Sequence, residues 1–195
     1  YGPAKINLRS GATVIGGRDF LIAYNINLDS KSPHVANEIA MDVRQKGRMK
    51  RLGDFSFGNV TTDENDTLIN VPGTLKAVKA LGWYIEEYGI AQVSLNLTDI
   101  SITPVHVAFE EVKRNAANRG IRVTGSELVG LIPLNSLLDA GKYFQKKHFN
   151  SATATESELI QIAVKYLGLD ELRPFNPNEK ILEYVLRDKG AESYQ

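Results

Sequence analysis

Residues 75–100, LKAVKALGWYIEEYGIAQVSLNLTDI, decide the fold. Two strand-like runs, 75–85 and 90–100, flank Glu87-Tyr88-Gly89, and a connection this short with a glycine predicts a β-hairpin. In the second run Ala91, Val93, Leu95 and Leu97 alternate with Gln92, Ser94, Asn96 and Thr98. A period of two places the aliphatic set on one face and the amides and hydroxyls on the other.

Upstream, residues 20–28 alternate in the same way. Phe20, Ile22, Tyr24, Ile26 and Leu28 form one face; Leu21, Ala23, Asn25 and Asn27 form the other. Ser32-Pro33 is a helix-start signal, and Val35, Ala36, Ile39, Ala40 and Val43 follow as one apolar stripe ending near Gly47. Residues 48–73 are polar and aperiodic and read as a long loop. Downstream, Thr103-Pro104 opens a second helix with Val105, Ala108, Phe109, Val112 and Ala116 on its stripe, stopping at Gly120; residues 123–132 form a fourth strand. The order is β-α-β-β-α-β. Right-handed crossovers then predict an α+β, ferredoxin-like antiparallel sheet with both helices on one face.

Helical segments fill the tail, which reads as covering a sheet edge or bracing the core. One spans 133–148, one runs from the capping box Thr155-x-x-Glu158 to Gly168, and one starts at Asn176-Pro177 with Ile181, Leu182 and Val185. The expected organisation is a loop over 1–16, a domain over 17–187 (core 17–132, helical extension 133–187) and a frayed tail over 188–195.

Composition bounds the function. The 195 residues are 43% hydrophobic and 24% charged, with 23 basic and 23 acidic side chains, an ordinary globular mix. Zero net charge argues against nucleic acid, whose binding calls for a basic excess. The absence of cysteine excludes disulfides and thiolate chemistry. Neither an 18-residue apolar run nor a signal pattern occurs, so no membrane is expected and a cytoplasmic home is favoured. The sequons at Asn59, Asn65 and Asn96 then read as chance matches, and a chain beginning at Tyr1 reads as a fragment, a processed product or a trimmed chain.

With both helices on one side, the other sheet face is open. It would present Asn25, Asn27, Gln92 and Asn96, whose amides donate and accept together and suit a heterocyclic or amide-bearing ligand. The alternative is a solvated face, which would carry more Lys, Glu and Thr. Arg44, Lys46, Arg48, Lys50 and Arg51 form a basic run that reads either as a solvated helix end or as a holder for an anionic tail. Of three histidines, His34 and His148 read as surface residues; His106 reads as capping or packing, or as a neutral imidazole at a helix start aimed at a substrate. No two stand at metal-ligand spacing, and no phosphate loop or nucleophile elbow occurs. By these residues alone the domain carries no catalytic constellation.

Longer strings are more specific. GATVIGGRDFLIAYNINL (11–28), LGWYIEEYGIAQVSLNLTD (81–99), TPVHVAFEEV (103–112), GSELVGLIPL (125–134) and LGLDELRPFNPNEKILEY (167–184) jointly resemble the glutamate formiminotransferase family, in the same order. The resemblance implies the C-terminal, folate-binding half of the transferase: two similar α/β halves facing across a cleft, usually in a homodimer. It implies transfer of the formimino group of N-formimidoyl-L-glutamate to N5 of tetrahydrofolate, in histidine degradation. Folate contacts carried over from the family are the loop Gly2, Pro3, Ala4, Lys5, Ile6, Asn7, Leu8, Arg9, Ser10 and Gly11, together with Gly73. Ala4 to Arg9 and the residues around 53–66 depart from relatives. The family's catalytic histidine lies in the N-terminal half, so no catalytic residue and no metal are expected here. The rival readings are a related transferase with another formimidoyl donor, and a non-catalytic folate-binding or assembly module.

Overall fold

The computed structural model describes residues 5, 7–9, 11–13, 15–52, 59–65, 67–148, 154–188 and 190. Within the loop expected over 1–16, Asn7 and Gly11 pair as an isolated bridge, and Lys5, Asn7, Leu8, Arg9 and Gly11 are exposed; Gly2, Pro3, Ala4, Ile6 and Ser10 lie outside the described residues.

The chain runs β1 (Ile22–Leu28), α1 (Pro33–Val43), β2 (Arg48–Met49), β3 (Asn70–Val71), β4 (Val78–Ile85), β5 (Ile90–Leu97), α2 (Val105–Ala117) and β6 (Val123–Val129). Then follow α3 (Leu134–His148), α4 (Glu156–Leu167), α5 (Pro177–Lys180) and α6 (Leu182–Asp188). The main sheet has the order β4-β5-β1-β6 with every neighbour antiparallel, which is the expected ferredoxin-like α+β arrangement. Local chemistry sets the helix ends. Ser32 Oγ accepts the Val35 N–H at 3.3 Å with Pro33 opening α1, and Thr155 and Glu158 close a reciprocal capping box on α4. Gly168 ends α4 in the left-handed region (φ 63°).

The core lies between the sheet and the helices. Ile22, Tyr24, Ile26 and Leu28 of β1 and Ala91, Val93, Leu95 and Leu97 of β5 are all at most 1% exposed, packed with Ile39, Val43, Phe109 and Val112. Burying each large side chain is worth about 1.5–3 kcal/mol.

Several boundaries differ from expectation: β4 starts at Val78, β5 ends at Leu97 and β6 ends at Val129, and three further differences have a clear cause. β1 starts at Ile22, since Phe20 precedes the first strand pairing and stays 63% exposed. The segment 48–73 is not a plain loop: β2 pairs with β3, and the bridges Arg51↔Val60 and Thr62↔Leu68 continue it as a narrow ribbon. A ribbon solvated on both sides buries no stripe, so it shows no period. Arg48 ties it to α1 through the carboxylates of Glu38 and Asp42. The segment expected as one helix from Asn176 is two, because Ile181 is extended and bridges Ile132 in parallel. That bridge ties the tail to the strand exit, with Ile132 N–H donating to Lys180 O at 2.9 Å and Leu182 N–H to Ile132 O at 3.0 Å.

Candidate functional site

Strand register decides which side chains meet on the open face. Asn27 pairs with Gln92 across β1–β5 and with Gly125 across β1–β6, Asn25 pairs with Ser94 and Glu127, and Gln92 pairs with Trp83 across β5–β4. A bulge follows Asn27 on the β6 side. Such bulges re-aim side chains near sites.

These residues form one hydrogen-bonded chain. Trp83 Nε1–H donates to Gln92 Oε1 at 3.1 Å, Gln92 Nε2–H to Asn27 Oδ1 at 2.7 Å, and Asn27 Nδ2–H to Glu171 Oε2 at 2.6 Å. A branch reaches Glu127, whose Oε2 accepts from Asn25 Nδ2 at 3.2 Å and Gln92 Nε2 at 3.4 Å. Indole only donates and carboxylate only accepts, so the ends dictate the orientation of every amide between them. Asn27 and Gln92 are fully buried and Asn25 is 4% exposed, while Trp83 keeps 42% of its surface open. The product is a rigid polar floor with an indole rim.

Glu171 arrives from the turn after α4, which crosses the β6 edge. Its approach requires Gly125: a Cβ there would sit 2.4 Å from the Glu171 carboxylate and 2.8 Å from Gly168 O. Beyond it, Arg173 reaches Tyr88 Oη at 3.2 Å and Glu87 at 3.5 Å on the β4–β5 turn. The tail therefore spans one end of the open face. At the other end lies a hollow of about 300 Å³ lined by Phe20, Leu21, Ala23, Val129, Leu131, Pro133 and Leu182.

The face brings together three of the four amides expected there. Asn96, opposite Ala23 and Lys79, is exposed and outside the network. Trp83, Glu127 and Glu171 were not anticipated. Trp83 was legible by counting back from Gln92 across the hairpin, and Glu127 as the polar residue between inward Ser126 and Leu128. Glu171 gave no local signal.

Gly73 sits against the end of α1. Its neighbours Thr74 and Leu75 donate to Asp42 O (2.9 Å) and Val43 O (3.0 Å). A hollow of about 460 Å³ lined by Arg44, Gln45, Lys46, Val78, Lys79, Ala80 and Thr98 adjoins the same helix end. The basic run is divided: Arg44 is turned onto the Gly47 and Ala80 carbonyls and Arg48 onto acidic partners, while Lys46 and Lys50 are exposed.

All three histidines stand on helices on the opposite side of the sheet from the network. His34 is in the first turn of α1, and His148 stacks on Tyr166 at 4.4 Å. His106 stacks on Tyr143 at 4.7 Å, the packing reading. Burial pushes the His106 imidazole below its ordinary value, opposed by the nearby charges of Asp139 and Glu110. The unfolded chain therefore binds this proton more readily, so stability falls as pH drops from about 6.5 through the folded value. His106→Phe is expected to flatten that part of a denaturation-midpoint-versus-pH profile; an unchanged slope would exclude His106 as its source. Among the described residues no group of three or more His, Asp or Glu is placed to hold a metal ion.

Comparison with known proteins gives the setting. The profile of the formiminotransferase domain family matches residues 23–187. Formimidoyltransferase-cyclodeaminase of Mus musculus is 42% identical over 192 residues, covering 98% of this chain and 32% of that protein. The Gallus gallus protein of the same name is 42% identical over 194 residues, with 97% and 32% covered. Glutamate formimidoyltransferase of Thermoplasma acidophilum is 32% identical over 164 residues, with 84% and 46% covered. The chain thus spans from about a third to under half the length of these relatives.

Proposed function

We propose, from the premise that this chain belongs to the formiminotransferase domain family, that it is the tetrahydrofolate-binding half of a glutamate formimidoyltransferase. The observation that carries this reading is the amide floor: Asn25, Asn27 and Gln92 are buried on the open sheet face and held in one orientation by Trp83, Glu127 and Glu171. The buried, mutually bonded amides hold Trp83, Glu127 and Glu171 in place, and these more exposed groups, preset in this way, bind a heterocycle without reorganising first. Gly73 and the loop from Gly2 to Gly11 contribute further folate contacts, and Asn96 extends the polar strip.

In the reaction, N5 of tetrahydrofolate attacks the formimidoyl carbon of N-formimidoyl-L-glutamate. A C–N5 bond forms, the bond from that carbon to the glutamate nitrogen breaks, and the proton lost by N5 passes to the departing amine. Floor and rim hold the reactants at bonding distance, an entropic contribution. Proton transfer requires a base beside the open face. The three histidines of this chain stand on the other side of the sheet, which supports assigning the base to the family's histidine on the partner half facing across the cleft. The longer relatives have room for that half, and Leu81, Trp83 and Val129, each 42–50% exposed on the open face, give it an apolar margin to meet. By the family resemblance the proposed assembly is a homodimer, placed in the cytoplasm. No helix of the described residues is long and apolar enough to cross a membrane.

Calorimetric titration of the purified chain with tetrahydrofolate tests the binding role, and an assay with added N-formimidoyl-L-glutamate tests the division of labour. Saturable binding without turnover is expected. A folded chain that does not bind tetrahydrofolate would overturn the folate role, and robust turnover would overturn the placement of the base.

A further inference from the structure

Glu127 is a half-buried carboxylate of the open face whose two oxygens are used unequally. Its Oε2 accepts from Asn25 and Gln92, while its Oε1 accepts from none of the described residues. Two cations, Arg173 and Lys180, line the hollow beside it, yet both are turned away: Arg173 to Glu87 and Tyr88, Lys180 to Leu128 O. Asn25 supplies a second open acceptor. Because a carboxylate only accepts, Asn25 must point its NH₂ at Glu127, and this leaves its Oδ1 turned from that contact. That side chain is 4% exposed and its carbonyl receives no hydrogen bond from the described residues. Carboxylate and carbonyl stand on directly paired residues, Asn25↔Glu127, with Ser94 beside them.

We propose that Glu127 Oε1 and Asn25 Oδ1 form an acceptor edge for a planar N–C–N donor, an amidine or a ring edge of amidine type. Such a group offers parallel N–H bonds in one plane, the complement of a carboxylate, and its cationic form takes the place of the counter-ion that Glu127 lacks. The exposed Trp83 ring stands next along the network through Gln92 and offers a flat apolar wall to the same ligand. Two moieties carry this chemistry under the transferase reading, on which the natural occupant rests: the formimidoyl group of the donor, and the 2-amino-4-oxopyrimidine edge of the pterin. The acceptor edge itself does not depend on that reading.

The single tryptophan of the chain reports directly on the site. Acetamidine is titrated against its neutral isostere acetamide, following Trp83 fluorescence and the indole N–H resonance. Acetamidine is expected to give a saturable change and acetamide none, and Glu127→Gln is expected to weaken acetamidine about tenfold or more, the scale of one lost charge-assisted bond. A thermal midpoint for the variant close to the parent's establishes folding, and Asn25→Leu provides a second variant with the same expected loss. Equal responses to the two probes, or acetamidine binding untouched by Glu127→Gln, overturn the proposal. N-formimidoyl-L-glutamate, N-formyl-L-glutamate and tetrahydrofolate then separate the sources. Loss by Glu127→Gln of N-formimidoyl-L-glutamate alone assigns the donor, and loss of tetrahydrofolate alone assigns the pterin. Acetamidine binding with neither natural ligand bound upholds the acceptor edge and overturns the transferase reading.

Discussion

Gly73→Glu is expected to lower the thermal midpoint by about 10 °C, and Gly73→Ala nearly as much. A Cβ at this position would stand 2.0 Å from Arg44 O and 2.9 Å from Asp42 O, both backbone atoms at the end of α1. No rotamer relieves a clash with backbone. The peptide must move away, and in moving it gives up the hydrogen bonds from Thr74 to Asp42 O and from Leu75 to Val43 O. Gly47 tightens the constraint, since its own Cβ would meet Val71 O at 1.8 Å and Gly73 N at 2.7 Å. Overpacking of this kind costs about 3 kcal/mol, and a domain of this size loses roughly 2–4 °C per kcal/mol. A midpoint within about 2 °C of the parent, read by circular dichroism, would show that the contact is not tight. One consequence concerns the ligand: weaker folate binding by a Gly73 variant reports collapse at the end of α1 as much as loss of a contact. Substitutions in the amide floor test the site more cleanly.

Asn27→Leu is expected to dismantle the floor from its centre. Leucine nearly preserves volume but removes the acceptor for Gln92 Nε2 and the donor to Glu171. The NH₂ of Gln92, fully buried, is left with its longer 3.4 Å contact to Glu127, and an under-satisfied buried amide costs about 1–3 kcal/mol. Glu171 is free to swing to water, so the turn it anchors over Gly125 loosens while Arg173 keeps its contacts with Tyr88 and Glu87. Two readouts follow. Amide hydrogen exchange at Leu172 and Arg173 speeds up, and the emission of Trp83 shifts as Gln92 ceases to hold its indole N–H. Under the proposed folate role, tetrahydrofolate affinity is expected to fall with them. Exchange and emission both matching the parent would mean that the network does not organise this face.

The elements were legible because their signals are local. Ser32-Pro33, the Thr155–Glu158 box and the left-handed Gly168 act within one helical turn, and period two in residues 20–28 and 90–97 sorts faces without regard to partners. Reading failed where burial was absent or long-range. The ribbon containing β2 and β3 buries no stripe, and the break at Ile181 is imposed by Ile132, 49 positions earlier.

For the site, period two along the strands was enough to place Asn25, Asn27 and Gln92 on one face, because alternation follows from backbone geometry alone. It also implied that this face is open, since right-handed crossovers put both helices on the other. Sequence determined the polar character of the floor. What holds the floor was decided only in three dimensions. Asn27 and Glu171 are separated by 144 residues, and Asn25 and Glu127 by 102, so neither pairing leaves a pattern within any window of the chain. Register across the sheet, the gap at Gly125 and the return of the tail over β6 bring those carboxylates to the amides. Hydrogen bonding reaches only about 3 Å, so which donors and acceptors meet is settled by packing and not by composition.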